Sequence, residues 1–143
     1  MNLTRFSDYA LRVLLCAGTY PDRLLTIADI ARTYAISENH LMKIVHRLAQ
    51  LGLLETVRGK GGGLRLAKAP KDINLGWTLR QTEQGQPLVE CFGEHTDCRI
   101  APACALKSVL MEAERAFFEV LDRYTLADML NNKPALSRLL PLS

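Results

Sequence analysis

Apolar residues recur on one helical face over residues 4–20, where Phe6, Tyr9, Ala10, Val13, Leu14 and Ala17 are in register and Pro21-Asp22 closes the run as a turn. Thr26 followed by Asp29 has the form of a capping box, and Ile27, Ala28, Ile30 and Ala31 supply the inner side of a second helix ending near Tyr34. Ala35-Ile36 is a tight connection. Ser37 then serves as N-cap for a third helix, with Leu41, Ile44, Val45, Leu48 and Leu51 at helical spacing until Gly52 stops it. Two short helices joined this closely predict a helix-turn-helix.

After Gly52 the pattern turns to extended pieces, Leu53–Val57 and Leu64–Ala67, around Arg58-Gly59-Lys60-Gly61-Gly62-Gly63, which predicts a two-stranded wing with a basic tip. Asn74 or a neighbour caps a short helix through Trp77, Leu79 and Arg80, closed by residues 85–87. Ala101-Pro102 opens the longest helical pattern, an unbroken stripe of Leu106, Val109, Leu110, Ala113, Phe117, Val120, Leu121 and Tyr124. A stripe of that length on a small domain needs a covering surface, and a second copy of the chain is the simplest source, so a homodimer is expected. Thr125 caps a last short helix through Leu126, Met129 and Leu130, and the tail from Pro134 is expected to be loosely held. The expected fold is mainly α within the α+β class. Residues 1–71 form a winged helix-turn-helix domain, 72–104 a connecting helix and cysteine loop, and 105–143 a long dimerisation helix and a C-terminal short helix.

At 143 residues and 48% hydrophobic, the chain can bury a core but has no room for a large enzyme. Residues 1–71 hold eleven Lys or Arg against five Asp or Glu, a net of +6, whereas residues 72–143 carry a net of −3. The first part is therefore suited to meet a polyanion. The apolar stretch Leu11–Gly18 is short and flanked by Arg5, Asp8 and Arg12, so neither an export signal nor a membrane span is expected, and the reading is a cytoplasmic protein without a membrane partner.

In a helix-turn-helix the second helix enters the major groove of double-stranded DNA, and Glu38, Asn39, His40, Lys43, His46 and Arg47 are the polar positions of that helix here. Asn39, His40 and Lys43, nearest its N-terminus, are candidates for base edges, with Arg47 beyond them. Each taken singly is also what an ordinary solvated helix face carries. The wing is more specific: glycines such as Gly61 and Gly62 let backbone approach a groove, and Arg58 and Lys60 bring cations to phosphates or a narrow minor groove. A nucleotide-binding glycine loop is disfavoured, because this segment does not run from a strand into a helix at the required spacing.

Three of the four cysteines fall within fourteen residues, as Cys91-x6-Cys98-x5-Cys104. Such spacing is too wide for a compact zinc knuckle but can wrap an iron-sulfur cluster, of 4Fe-4S or 2Fe-2S type. One coordination position is left to Glu94, His95, Asp97, Lys107 or a residue elsewhere, and His95 is the nearest local choice. Cys16, inside an apolar run, reads as a small buried hydrophobe. Two other uses of the thiols stay open: a cluster-free sensor forming disulfides, and a thiol-disulfide oxidoreductase, against which stands the absence of Cys-x-x-Cys and of a βαβ pattern.

Met1-Asn2-Leu3-Thr4-Arg5-Phe6-Ser7-Asp8-Tyr9-Ala10-Leu11-Arg12, the wing from Arg58 to Leu66 and the three-cysteine loop together resemble the Rrf2 family of winged-helix regulators. Leu88-Val89-Glu90-Cys91, the stretch Cys98 to Lys107 and Tyr124-Thr125-Leu126-Ala127-Asp128 are most similar to its nitric-oxide-sensing branch. The resemblance implies a homodimeric repressor on a two-fold DNA operator, released when nitric oxide destroys its cluster, and no catalysis. Members of the family that sense cluster supply use a histidine three residues after the last cysteine, where this chain has Lys107. In the nitric-oxide branch an aspartate in the first helix of the opposite subunit completes a 4Fe-4S site, and the matching residue is Asp8. The resemblance thus favours Asp8 over His95 and 4Fe-4S over 2Fe-2S. A 2Fe-2S regulator of cluster supply or general redox state is the alternative.

Overall fold

The computed structural model describes residues 2–83, 87–93 and 97–142. Helix α1 (Arg5–Thr19) begins at Thr4, whose hydroxyl accepts the Ser7 amide, and buries Ala10, Val13, Leu14, Cys16 and Ala17. Helix α2 (Ile27–Tyr34) has the expected capping box between Thr26 and Asp29. Helix α3 (Glu38–Gln50) starts at Ser37 and turns Leu41, Ile44, Val45 and Leu48 inward. Between α2 and α3 the chain reverses at Ala35, a non-glycine residue in the left-handed region at φ 56°, and the Ile36 amide donates to Ala31 O.

Strands β1 (Leu54–Val57) and β2 (Gly63–Leu66) pair antiparallel, with Leu54 opposite Leu66 and Val57 opposite Gly63. Leu25 bridges to Leu64 by two backbone hydrogen bonds, so the root of the wing is tied to the turn between α1 and α2. The core gathers Leu14, Ile30, Leu41, Ile44 and Leu48 against Leu53 and Leu64. Periodic apolar spacing makes each helix one-sided, and burying those sides together is the main driving force.

Helix α4 (Leu75–Thr82) is capped by Asn74, which accepts the Trp77 amide and donates its side-chain amide to Asp122 O. A short 3-10 turn at Glu90–Phe92 and another at Ala101–Ala103 flank the cysteine loop. Pro102 belongs to that second turn. The long helix α5 (Ala105–Asp122) follows with Cys104 as its N-cap, slightly later than the sequence pattern suggests. It leans on α4, where Arg80 pairs with Asp122 at 2.5 and 2.9 Å and stacks over Phe118 at 4.8 Å. The hydrogen bonds to Asp122 hold the Arg80 guanidinium above its ordinary pKa and the Asp122 carboxyl below its own.

Helix α6 (Leu126–Met129) has a capping box between Thr125 and Asp128 and sends Leu126 and Leu130 into the winged-domain core. The tail differs from expectation. Residues Lys133–Leu139 form α7, with Pro134 in its first turn, where proline starts a helix rather than breaking one. The Tyr20 hydroxyl donates toward Ser137 O and Leu140 O, at 3.2 and 2.6 Å, while Leu140 is buried and Leu136 and Leu142 pack on the core. These contacts hold the tail against α1. No described helix is long and apolar enough to cross a membrane.

Candidate nucleic-acid interface and cysteine loop

On α3, Asn39 and Lys43 are exposed, as are Glu38 and His46, whereas Arg47 is half-buried. His40 differs from its neighbours: its ring lies edge-on to Tyr9 of α1, centroids 5.2 Å apart, so it is half-buried and already engaged. Met42, passed over in sequence because it is apolar, is 54% exposed on the same helix. An exposed apolar side chain on the same helix as Asn39 and Lys43 has the chemistry to meet a thymine methyl group. The only trace of this in sequence is that Met42 falls outside the buried period set by Leu41, Ile44, Val45 and Leu48.

The wing tip is built for close approach. Gly61 sits at φ 79°, in the left-handed region, and a side chain on Gly62 would collide with Val57 O and Gly59 O. Arg58 and Lys60 are exposed there. The ion pairs among the described residues join Arg12 to Asp8, Arg32 to Asp29, Arg65 to Glu55 and Arg80 to Asp122, and include neither wing cation. Their charge is available to a polyanion.

Cys98 is exposed, and Cys91 and Cys104 are half-buried. Among the described residues no three His, Cys, Asp or Glu are gathered closely enough to hold a metal ion. The donor chemistry nevertheless fits iron. Three cysteines in one loop are a donor set that iron-sulfur clusters take, and Cys104, the N-cap of α5, makes no capping hydrogen bond through its side chain. A cavity of about 530 Å³ opens beside Cys91, lined also by Phe92, Gly93, Lys107, Met111 and Arg115. Lys107 thus stands near the thiols as a cation. Asp97 is exposed, and Glu94 and His95 lie outside the described residues.

Cys16, in contrast, is fully buried, and the loss of solvent pushes its thiol up to about 11, the behaviour of an inert core residue.

Asp8 lies one turn into α1, on the far side of the winged domain's first helix in sequence from the thiols, and both of its oxygens accept from Arg12, at 3.1 Å each. The pair is 46% exposed at the carboxylate. Arg12 is itself held between the Tyr9 and Tyr34 rings, 5.5 and 5.8 Å from their centroids, and Tyr34 donates its hydroxyl to Arg12 O. Burial and the neighbouring Cys16 raise the Tyr34 phenol above its usual range, so it remains a donor.

Of the candidate dimer residues, Leu106 and Val109 are 59% and 57% exposed, Ala113 and Val120 are also exposed, and Leu110, Phe117 and Leu121 are half-buried. Phe117 meets Phe118 edge-on at 5.3 Å. No residue of α5 is fully buried within the single chain.

Residues 3–132 match the family described as Rrf2, iron-dependent transcriptional regulator. The chain belongs to the Rrf2 family. It is 50% identical to the HTH-type transcriptional regulator NsrR of Bacillus subtilis, over 99% of each chain. Among solved Rrf2-like structures, IscR of T. potens is 27% identical, covers 92% of this chain with 88% of its own, and superposes with a TM-score of 0.74. CymR, the global cysteine regulator of B. subtilis, is 25% identical over 90% of this chain and 95% of its own, with a TM-score of 0.69. The winged helical fold is therefore that of Rrf2 regulators, and the protein is a transcriptional regulator of the NsrR type, a role without catalysis.

Proposed function

We propose that the chain is a repressor that binds a two-fold double-stranded DNA operator as a homodimer and lets it go when nitric oxide attacks an iron-sulfur cluster held by Cys91, Cys98, Cys104 and Asp8 of the partner subunit. The observation that carries this reading is the placement of Cys91, Cys98 and Cys104 just ahead of, and at the cap of, a helix whose apolar stripe is exposed in the single chain, in a protein that also carries an exposed basic wing. In this reading residues 1–71 contact DNA, 72–104 bring the thiolates and 105–143 join the two copies.

When bound, the cluster supplies iron to which nitric oxide coordinates strongly; 4Fe-4S is the preferred type and 2Fe-2S the alternative. The chain's part is to gather and orient ligands. Among the described residues the ligands do not already form a metal site, so loading would draw them together. Asp8 must turn away from Arg12, which costs little, since an exposed ion pair contributes about 0–1 kcal/mol. Arg12 stays in place between Tyr9 and Tyr34. Freed again, Asp8 returns to Arg12, and the two copies lose a ligand joining α1 of one to the loop of the other. Because α1 touches α3 through Tyr9 and His40, a shift of α1 moves the reading head, and altered spacing between heads weakens a two-fold site.

Iron and sulfide analysis of anaerobically purified protein, with absorption spectra and operator binding before and after nitric oxide, tests this directly. Equal iron and sulfide, with absorbance and operator binding falling together, is the expected result. Protein free of iron would favour the second reading, a thiol sensor without a cluster, for which the exposure of Cys98 speaks. Lys107, in place of a histidine ligand, weighs against a regulator of cluster supply.

Two predictions concern DNA. Arg58→Ala or Lys60→Ala should weaken operator binding and lower the dependence of log Kd on log salt by about 1, the signature of one lost phosphate contact. Binding curves unchanged at every salt concentration would take the wing out of the interface. Asn39→Ala or Lys43→Ala should relax sequence preference, with a loss of about 1–3 kcal/mol confined to one base pair of each half-site. A uniform loss over all operator variants would reassign these two residues to the phosphate backbone.

A further inference from the structure

The first turn of α1 is capped by another helix. In a capping box the third helical residue returns a hydrogen bond to the N-cap amide. Ser7 holds that position after Thr4, but its hydroxyl meets Thr82 Oγ1 instead, 2.7 Å away in a buried contact with the last turn of α4. The Thr4 amide donates to Glu83 Oε1 at 2.7 Å, and the Thr4 hydroxyl approaches the same oxygen at 3.3 Å. Glu83 is the C-cap of α4. A carboxylate from α4 thus completes the box and also lies at the positive end of the α1 dipole.

One partner of this junction shares a helix turn with a proposed ligand, and the other precedes the remaining ligands in sequence. Thr4 O accepts the Asp8 amide at 3.0 Å, so the turn that Glu83 fixes is the turn that carries Asp8. Glu83 stands eight residues before Cys91, on the strand of chain entering the cysteine loop. A cavity of about 400 Å³ lies alongside, lined by Leu3, Thr4, Glu83, Pro87 and Leu88 among others, so on that side the polar bonds are not backed by apolar packing.

We infer that Glu83 is a positioning residue that registers the first turn of α1, and with it Asp8, to the cysteine loop of its own chain. This rests on the proposed function. Asp8 then answers to the thiols of the partner subunit while Glu83 answers to those of its own, and α1 is held from two directions. A displacement of either loop reaches the helix that supports the reading head.

The test needs neither iron nor operator. Metal-free protein is labelled on the cysteine loop with a bulky maleimide, and amide exchange is followed at residues 4–8, with α3 amides as the control for global unfolding. In the wild type, labelling should speed exchange in the first turn by about tenfold, the effect of losing one well-made hydrogen bond. In Glu83→Ala the same amides should exchange fast from the outset and ignore the label. Glu83→Gln, which keeps an oxygen acceptor, should respond as the wild type does. Should Glu83→Ala lose α3 protection, Glu83→Gln and Thr82→Val carry the comparison, the second with a weakened response. A wild type indifferent to labelling, or an alanine variant that responds like the wild type, overturns the assignment. Failure of the protein to take up a cluster counts against the proposed function alone.

Discussion

Glutamate at both Leu106 and Val109 should yield folded monomers with little affinity for the operator. The two side chains lie one turn apart on α5 and are more than half exposed in the single chain, so carboxylates there cost the isolated fold almost nothing. In a dimer closed by this stripe, each would be buried without a partner, a loss of several kcal/mol per subunit that a modest interface does not survive. With the heads unlinked, the second half-site no longer binds at high effective concentration, and operator affinity should fall by about 100-fold or more. Sedimentation gives the mass and fluorescence anisotropy the affinity. Leu110 and Phe117 are poorer probes, being half-buried in the chain itself, so that Phe117→Glu would confound dimer loss with misfolding. A double glutamate variant that stays dimeric and binds its operator would place the interface on another surface.

The ligand set carries the other large effect. Alanine at Cys91, Cys98 or Cys104 should abolish cluster loading, because each thiolate supplies a quarter of the coordination and no spare thiol lies on the loop. Asp8→Ala should keep the fold, since only an exposed pair with Arg12 is lost, but its cluster should be labile, and His95→Ala should load normally. Mixed dimers with Asp8→Ala on one chain and Cys98→Ala on the other isolate the crossing: they retain one complete site, while neither parent homodimer has any. Iron content and absorption of purified mixed dimers decide the matter. If those dimers hold no normal cluster while wild-type protein does, the fourth ligand comes from the same chain or from solvent.

What was legible in the sequence follows from how local each interaction is. Thr26 with Asp29, Ser37, Asn74 and Thr125 are read as caps because a short polar side chain three residues from its target amide needs only local geometry, and all four act as helix starts in the structure. The buried faces of α1 and α3 follow from apolar spacing in the same way. The exposure of the wing cations also follows, since a hairpin tip rich in glycine has nothing to cover it. Contacts between elements distant in the chain were not legible. Pro134 reads as the start of a loose end until Tyr20, more than a hundred residues away, is seen to hold Ser137 and Leu140. The edge-on contact of His40 with Tyr9 joins two different helices and has no local signal in the sequence. Glu83 carries no motif of its own, because its partner Thr4 is 79 positions earlier. The grouping of Cys91, Cys98 and Cys104 was read from their spacing alone, because three thiols in one short loop are a signal that the chain carries locally.

The alanine at the bend of the helix-turn-helix has a consequence for how operators distinguish the two states. Ala35 occupies a left-handed conformation that costs an L-residue about 1 kcal/mol, and the Ile36 amide bonded to Ala31 O with the buried Ile36 side chain holds it there. With fewer alternative angles than glycine, such a corner works as a welded elbow: α2 and α3 travel together or not at all. In the proposed dimer, a signal reaching this domain would leave the alphabet read by one head untouched and change only the ruler between two heads. Operators with the same half-site letters but one base pair more or less between them should then rank differently in the two states of the protein, and point changes within a half-site should rank alike in both.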